Sequence, residues 1–537
     1  MSRINKYLKF SRYLLFGCSL LTLHSCVVLY DRYQRPSLEM PEKWRLPENE
    51  ESTSLNAKWW EQLNDSVLND LVLEAIENNK DIKIAIARVD EFIARVGVIS
   101  SQLYPQINAQ GSALRQRTSQ TLAGTQDFGS SSGGGIFPFP GNGVFPFFTP
   151  VSPYANDYRA VINASYQLDL FGKIRSATDA SIAEMLAQAE NQRTVVLTIV
   201  SNVATAYVTL RQYDAQLEIS LKTLKSREES YELAKIRFEE GLTSELEVKQ
   251  AASEVDEAII QVIQLQYLIP VQENLISVLI GHPPDLVARG RSIDEWSLPI
   301  DIPAGLPADL LEQRPDIKEA EYQLVAANAT IGEARAQFFP DITLTGYYGY
   351  ESGQLHKLFI DPSRTWQIFG NLLQPIFEGG RLISNLDLTT AIKRQAYYNY
   401  QQTVLTALKE ANDAFIAYEQ SKKGVLAEMQ RVKDLTDYLK LATLQYENGL
   451  VDYLNVLDAE RRLFGAQLDL AQAQAYVFTS LISIYQALGG GWVSDADYLA
   501  TLAEKSQCAN VKPFSHMLNV RSKIVTNIVD ATDEPEC

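Results

Sequence analysis

Proline is absent from residues 173–240 and 381–448, two runs of 68 residues, and glycine occurs in them once, at Gly424. With neither breaker present, each run reads as a single helix. At about 1.5 Å rise per residue such a helix is about 100 Å long, which excludes one hidden inside an ordinary globule and requires lengthwise packing against others. After the N-terminal leader no stretch reaches 18 consecutive apolar residues, so a spanning apolar helix is not expected and any membrane crossing falls to strands. Basic residues are outnumbered, 48 Lys and Arg against 66 Asp and Glu for a net charge of −18, and no basic cluster is interleaved with aromatics. That balance argues against a nucleic-acid partner.

The residues of catalysis are scarce as well. Histidine occurs four times, as His24, His282, His356 and His516, with no second histidine at metal-ligand spacing. There is no nucleophile elbow, phosphate loop or CxxC, and Gly379-Gly380 is not followed by a GxGxxG. Asp458 and Glu460 lie two apart on a helix and do not share a face, so a solvated helix surface is the expectation for Glu460. No enzyme, metal or cofactor is expected.

What the chain does contain is repetition. Phe238-Glu-Glu-Gly-Leu-Thr-Ser-Glu-Leu-Glu-Val248 returns 208 residues later as Tyr446-Glu-Asn-Gly-Leu-Val-Asp-Tyr-Leu-Asn-Val456. Gly241 and Gly449 are placed to end the long helices, Leu242 and Leu450 follow them, and a second helical stretch returns from each, so each half reads as a giant hairpin. Within the first long run, Ile182, Met185, Ala189, Gln192, Val196, Ile199, Val203, Ala206, Leu210, Tyr213, Leu217, Ser220 and Leu224 form a heptad seam, apolar at 11 of 13 places.

A second correspondence, at an offset of 235, relates Gly97, Leu103-Tyr-Pro105-Gln-Ile107 and Gly111 to Gly332, Phe338-Phe-Pro340-Asp-Ile342 and Gly346. After each proline the period changes to two, with Ile107, Ala109, Gly111 and Ala113 alternating with polar residues, and Ile342, Leu344, Gly346, Tyr348 and Tyr350 doing the same. Strands are expected at about 106–118, 159–171, 341–351 and 365–377, the last carrying Ile368, Leu372 and Ile376 on one face. Their length suits tilted membrane strands, but four are too few to close a barrel, because known membrane barrels need about eight. Residues 129–153 between the first pair form a Gly/Pro/Phe-rich segment too irregular for a core.

Residues 1–25 read as a secretory signal, with Arg3, Lys6, Lys9 and Arg12 before a short apolar stretch, and Leu23-His24-Ser25-Cys26 resembles a lipobox in which Cys26 takes the lipid. Cys18 is the competing match. Cys508 and Cys537 lie in a polar tail, paired or free.

Six motifs together carry a resemblance: Tyr33-Gln-Arg-Pro36; Leu168-Asp-Leu-Phe-Gly172 with Arg175; Arg314-Pro-Asp-Ile317 with Ala320-Glu321; Gln374-Pro-Ile-Phe377 with Gly379-Gly380-Arg381; Leu457-Asp-Ala-Glu-Arg461; and Ala487-Leu-Gly-Gly-Gly-Trp492. The chain resembles the lipoprotein branch of the outer-membrane factors, the TolC-like channels of tripartite efflux systems. The resemblance implies a mostly α fold with a membrane β-barrel: a homotrimer, four strands per subunit completing a twelve-stranded barrel, and hairpins forming a periplasmic α-barrel. It implies the layout 1–25 signal, 26–63 lipidated segment, 64–280 first repeat, 281–313 equatorial connection, 314–489 second repeat and 490–537 tail. Further implied are outer-membrane lipid, a periplasmic adaptor and an inner-membrane pump as partners, the tips at Gly241, Leu242, Gly449 and Leu450 as the periplasmic end, and Leu454, Asp458 and Arg461 as the pore aperture. Asn455 stands where some family members have a second acidic residue, which weakens the expected cation ring. The competing readings are a type I protein-secretion channel and, in a different class, a structural coiled-coil envelope lipoprotein. Whether cargo is a drug, a metal ion or a metabolite is left open by the sequence.

Overall fold

The computed structural model describes residues 30–41, 44, 59–117, 154–296 and 310–490. Cys26, the signal, the segment 129–153, Cys508, Cys537 and the tail lie outside them. The described elements run α1 (Ser66–Asn78), α2 (Lys80–Ser100), β1 (Gln106–Arg117), β2 (Tyr154–Leu168), α3 (Lys173–Glu239), α4 (Glu245–Leu279), α5 (Pro315–Ala336), β3 (Asp341–Ser352), β4 (Arg364–Leu373), α6 (Arg381–Glu447) and α7 (Tyr453–Ala487). The long helices α3 and α6 each have 67 residues and the returning helices α4 and α7 each have 35, and both pairs start and end 208 residues apart. No residue has been gained or lost in either hairpin. The strands β1 and β3 keep the other offset, 235, so the length difference between the halves falls in the connections between strands.

The chain divides into two packed units. The first takes the described parts of residues 1–34, 92–184 and 324–396, and holds one antiparallel sheet in the order β1-β2-β3-β4. Register places Ile107 opposite Ala164, Ala109 opposite Ile162, Ile162 opposite Tyr348, Tyr348 opposite Trp366 and Gly346 opposite Ile368, so one face is apolar. It is also exposed, including Ile107, Ile162, Tyr348, Trp366 and Ile368. The other face is polar: Asn163 donates to Gln110 Oε1 at 3.0 Å, and the Arg159 guanidinium lies 4.2 Å from the Tyr347 ring centre. Gly349 permits the β2–β3 approach, since a Cβ there would meet the Ala160 carbonyl oxygen at 2.2 Å.

Two strands differ from the sequence expectation. β2 begins at Tyr154 and ends at Leu168, because Asp169 turns back to accept from the Arg175 N–H at 2.9 Å and starts α3. β4 ends at Leu373, ahead of Pro375, which has no N–H for a ladder; Ile376 is 96 % exposed and belongs to no strand. Phe171 stacks on Phe339 at 4.8 Å, tying the corner between β2 and α3 to the corner between α5 and β3.

The second unit takes the described parts of residues 35–91, 185–323 and 397–537. Here the seam of α3 is withdrawn from solvent, with Val196, Ile199, Val203, Ala206 and Leu210 buried. So are Val200, Ala204, Tyr207 and Val208, because smaller elements cover α3 from the other side. Asp65, the N-cap of α1, accepts from Val67 N–H at 2.9 Å and also from the Tyr207 hydroxyl at 3.2 Å and Arg291 N–H at 3.1 Å. Burial pushes the Tyr207 phenol up to about 12. Trp296 packs edge-on to Phe478 at 5.0 Å, and Trp59 stacks on Tyr485 at 5.2 Å. One window of α3 is apolar enough by composition to cross a membrane, but it is 61 % buried, so its apolarity serves this packing.

Two of the six motifs meet in this unit. Arg314 donates to the Ala487 carbonyl at 2.8 Å, to Asp316 Oδ2 at 2.6 Å and to Glu410 Oε2 at 2.8 Å. It thus satisfies an orphan carbonyl at the end of α7 with a charge neutralised on both sides.

Candidate functional site

The hairpin tips are built by one local rule used twice. Gly241 N–H reaches Phe238 O and Leu242 N–H reaches Arg237 O at 2.9 and 2.8 Å; Gly449 N–H reaches Tyr446 O and Leu450 N–H reaches Gln445 O, both at 2.9 Å. This is the paired bonding that closes a helix around a left-handed residue, and φ is +73° at Gly241 and +71° at Gly449. A side chain at either position would be strained although the space around it is open. Leu242 and Leu450 are left pointing into solvent, each more than 70 % exposed.

Beyond the second tip, α7 has two faces. Tyr453, Val456, Leu457 and Ala459 are buried in one cluster with Ala234 of α3, Ala251 of α4 and Ala442 of α6, and Tyr231, Leu439 and Tyr446 pack against it. The opposite stripe carries Leu454, Asp458 and Arg461, spaced four and three residues apart, so the three residues nominated from sequence share one side of the helix. Leu454 and Arg461 are exposed and Asp458 is half-buried. Asp458 is shared between two arginines, with Oδ2 2.8 Å from Arg462 Nε and Oδ1 3.7 Å from Arg461 Nη2. Arg462 is the closer partner.

Glu460 departs from expectation. It is not on a solvated surface but half-buried at the edge of the tip cluster, and burial raises its carboxyl above the ordinary range. The helix positions that bury Leu457 and Phe464 also bury a residue lying between them at heptad spacing.

A polar link between the hairpins was not anticipated from sequence. Tyr446, in the last turn of α6, accepts from Arg237 Nη1 at 3.0 Å and donates to Glu247 Oε2 at 3.0 Å. Arg237 also lies over the Tyr446 ring, 5.4 Å from its centre. One hydroxyl therefore joins the end of α6 to both helices of the first hairpin, and burial together with Glu247 raises the phenol. The signal was available: at the equivalent place in the first tip the residue is Phe238, identical but for that oxygen.

Among the described residues no cluster of His, Cys, Asp and Glu is arranged to hold a metal ion. A cavity of about 490 Å³ is lined by Arg314, Asp316, Glu410 and Asp413 with residues of α3, α6 and α7, and its guanidinium is already committed to Asp316, Glu410 and Ala487.

Comparison with known proteins points in one direction. The family model described as outer membrane efflux protein matches residues 71–282 and 306–490. The toluene efflux pump outer membrane protein TtgC of Pseudomonas putida is 33% identical over 489 residues, covering 89% of this chain and 94% of that protein. The cation efflux system protein CusC of Escherichia coli is 33% identical over 480 residues, covering 88% and 98%. Among solved structures, the CmeC outer membrane channel of Campylobacter jejuni superposes with a TM-score of 0.78 at 25% identity, over 89% of this chain and 98% of that one. CusC superposes with a TM-score of 0.73 at 30% identity, over 86% and 99%.

Proposed function

The chain belongs to the outer membrane efflux protein family, and from that premise we propose the assembly and the gate through which it works. It is the outer-membrane channel of a tripartite efflux system, working with an adaptor and an inner-membrane pump. Its fold is that of these channels, mostly helical with a β-sheet for the membrane.

The assembly we propose is a homotrimer, and the observation that carries it is unfinished packing. Among the described residues β1 and β4 each pair on one side only, leaving a row of unpaired N–H and C=O groups that a bilayer cannot solvate. In the other unit α4 exposes Ile260, Ile263, Tyr267, Val271, Leu275 and Val278, spaced three and four apart. Such a stripe marks a missing helical neighbour. Three copies supply twelve strands and the absent helices at once. Chemical crosslinking of the detergent-extracted protein should saturate at three chains; a monodisperse monomer with full β content would overturn the assembly.

Lipidation at Cys26 completes the placement in the outer membrane. Cys26→Ser should abolish palmitate labelling and leave an unprocessed or soluble precursor, whereas labelling that persists in this variant would move the anchor to Cys18.

The gate lies at the periplasmic tips, where the adaptor docks around Gly241, Leu242, Gly449 and Leu450. Leu454, Asp458 and Arg461 line the aperture, and three Asp458 carboxylates place a ring of negative potential in a narrow passage. Asp458 holds Arg461 and Arg462 within its own helix, while Tyr446 holds the second hairpin on the first. Opening parts these links. Cargo is chosen by the pump: toluene and cations are named for two relatives that are equally similar to this chain, at 33% identity. The channel gives small molecules passive passage.

A further inference from the structure

Along α7 the residues Tyr453, Leu457, Glu460 and Phe464 are spaced four, three and four apart, the spacing of a packed seam. Tyr453, Leu457 and Phe464 are buried as that spacing demands; the remaining place is taken by a carboxylate. Within electrostatic reach of it is Arg227 of α3, 2 % exposed, whose guanidinium lies 5.1 Å from the ring centre of Phe464, one turn along α7 from Glu460. Arg227 Nη1 donates to the Glu254 carbonyl of α4 at 2.7 Å, and Nη2 stands 2.9 Å from Glu254 Oε2. Glu257, one turn further along α4, is 3.7 Å from Nη1 and exposed to solvent.

One buried guanidinium is thus ion-paired with the half-buried Glu254 of one hairpin and lies close enough to the half-buried Glu460 of the other to act on it electrostatically. With Arg227 charged, full ionisation of Glu254 and Glu460 leaves a net negative charge in a poorly solvated place, which is the arrangement that retains a proton. We propose that Glu254 and Glu460 together bind one proton beside Arg227, and that this proton holds α7 against the first hairpin and so keeps the aperture shut. The proposal rests on the aperture reading above and adds its control by pH.

The surrounding groups agree. Burial raises both carboxyls, Glu254 pushes Glu460 up further, and Glu257 does the same to Glu254. Arg227 opposes the rise at both sites, and Arg461, from the aperture stripe of α7, opposes it at Glu254. From α7 itself Tyr453 faces the site; its phenol is raised chiefly by burial and then by Glu460, Tyr446 and Glu247, so it stays protonated and adds no charge. In an opened tip the two carboxyls are rehydrated and return to the ordinary range. A carboxyl raised in the packed state stabilises that state at low pH, and the stabilisation is lost as pH rises through the raised value. Acid therefore closes the tip and neutral pH loosens it.

The test is the open fraction of the full-length channel in planar bilayers across about pH 5 to pH 8, where linkage allows up to about a tenfold change per pH unit for each proton, one per chain. Wild type should open as pH rises, and Glu460→Gln, a neutral isostere, should stay low and flat. Asp458→Asn separates this site from the aperture ring: it should keep the wild-type slope, and if it flattens the profile instead, the titration belongs to the ring and the proposal falls. A Glu460→Gln channel with the wild-type slope also overturns it. Infrared spectroscopy of the detergent-solubilised protein, followed as pH is raised, supplies a readout independent of conductance. The C=O stretch of a protonated carboxyl should persist to higher pH in wild type than in Glu460→Gln; identical loss with pH in the two removes the proton site, whatever the aperture residues do.

Discussion

The two hairpin tips have the same backbone and different surfaces. Both end a 67-residue helix on a left-handed glycine, both expose the leucine that follows, and both return through a 35-residue helix. At equivalent places, however, Phe238 corresponds to Tyr446, Lys249 to Leu457, Gln250 to Asp458 and Ser253 to Arg461. The first tip has kept the turn and none of the charged stripe. Its acidic residue Glu247 serves instead as an acceptor for the second tip's tyrosine. Duplication supplied a scaffold of fixed length, and divergence at positions such as these gave one copy the packing surface and the polar stripe.

That contrast can be broken in order of expected size. Leu457→Ala removes a buried side chain from the tip cluster and should destabilise by about 2–5 kcal/mol, while Lys249→Ala, at the equivalent exposed place, should change little; thermal unfolding of both variants measures the difference. Tyr446→Phe makes the second tip match the first at that position. It removes one hydrogen bond to Glu247 and one from Arg237, each worth about 0.5–1.5 kcal/mol and more where the partner is charged, so channel conductance should rise with the fold intact. The reverse change, Phe238→Tyr, adds a hydroxyl to an exposed ring and should stay within about 0.5 kcal/mol of wild type by the same unfolding measurement.

The two long helices were legible because breakers are missing over 68 residues, and the turns because Gly241 and Gly449 stand in repeated surroundings. Strand alternation placed β1 and β3 within a residue of their observed ends. It misplaced β2 and β4, because their ends are set by a side-chain cap from Asp169 and by Pro375, features that periodicity does not register. At the tip, Leu454, Asp458 and Arg461 came from the family resemblance, and their spacing of four and three places them on one stripe. The same spacing, applied to Leu457 and Phe464, places Glu460 in the packed seam, which assigning it to a solvated helix surface obscured. The Tyr446 link needed knowledge of which helices adjoin, since its partners Arg237 and Glu247 lie 209 and 199 residues away in the chain.

The central claim is that the stripe beyond the second tip, and not its counterpart beyond the first, bounds the pore. Single-channel conductance in planar bilayers tests it by comparing Asp458→Ala/Arg461→Ala with Gln250→Ala/Ser253→Ala. Exposed ion pairs are worth about 0.2–1 kcal/mol each, and three symmetric copies acting together shift a two-state aperture several-fold. The account predicts a several-fold rise for the first double variant, with crosslinking still saturating at three chains, and no change for the second. Equal conductance in both variants and wild type, or a rise confined to the first-tip variant, would contradict it.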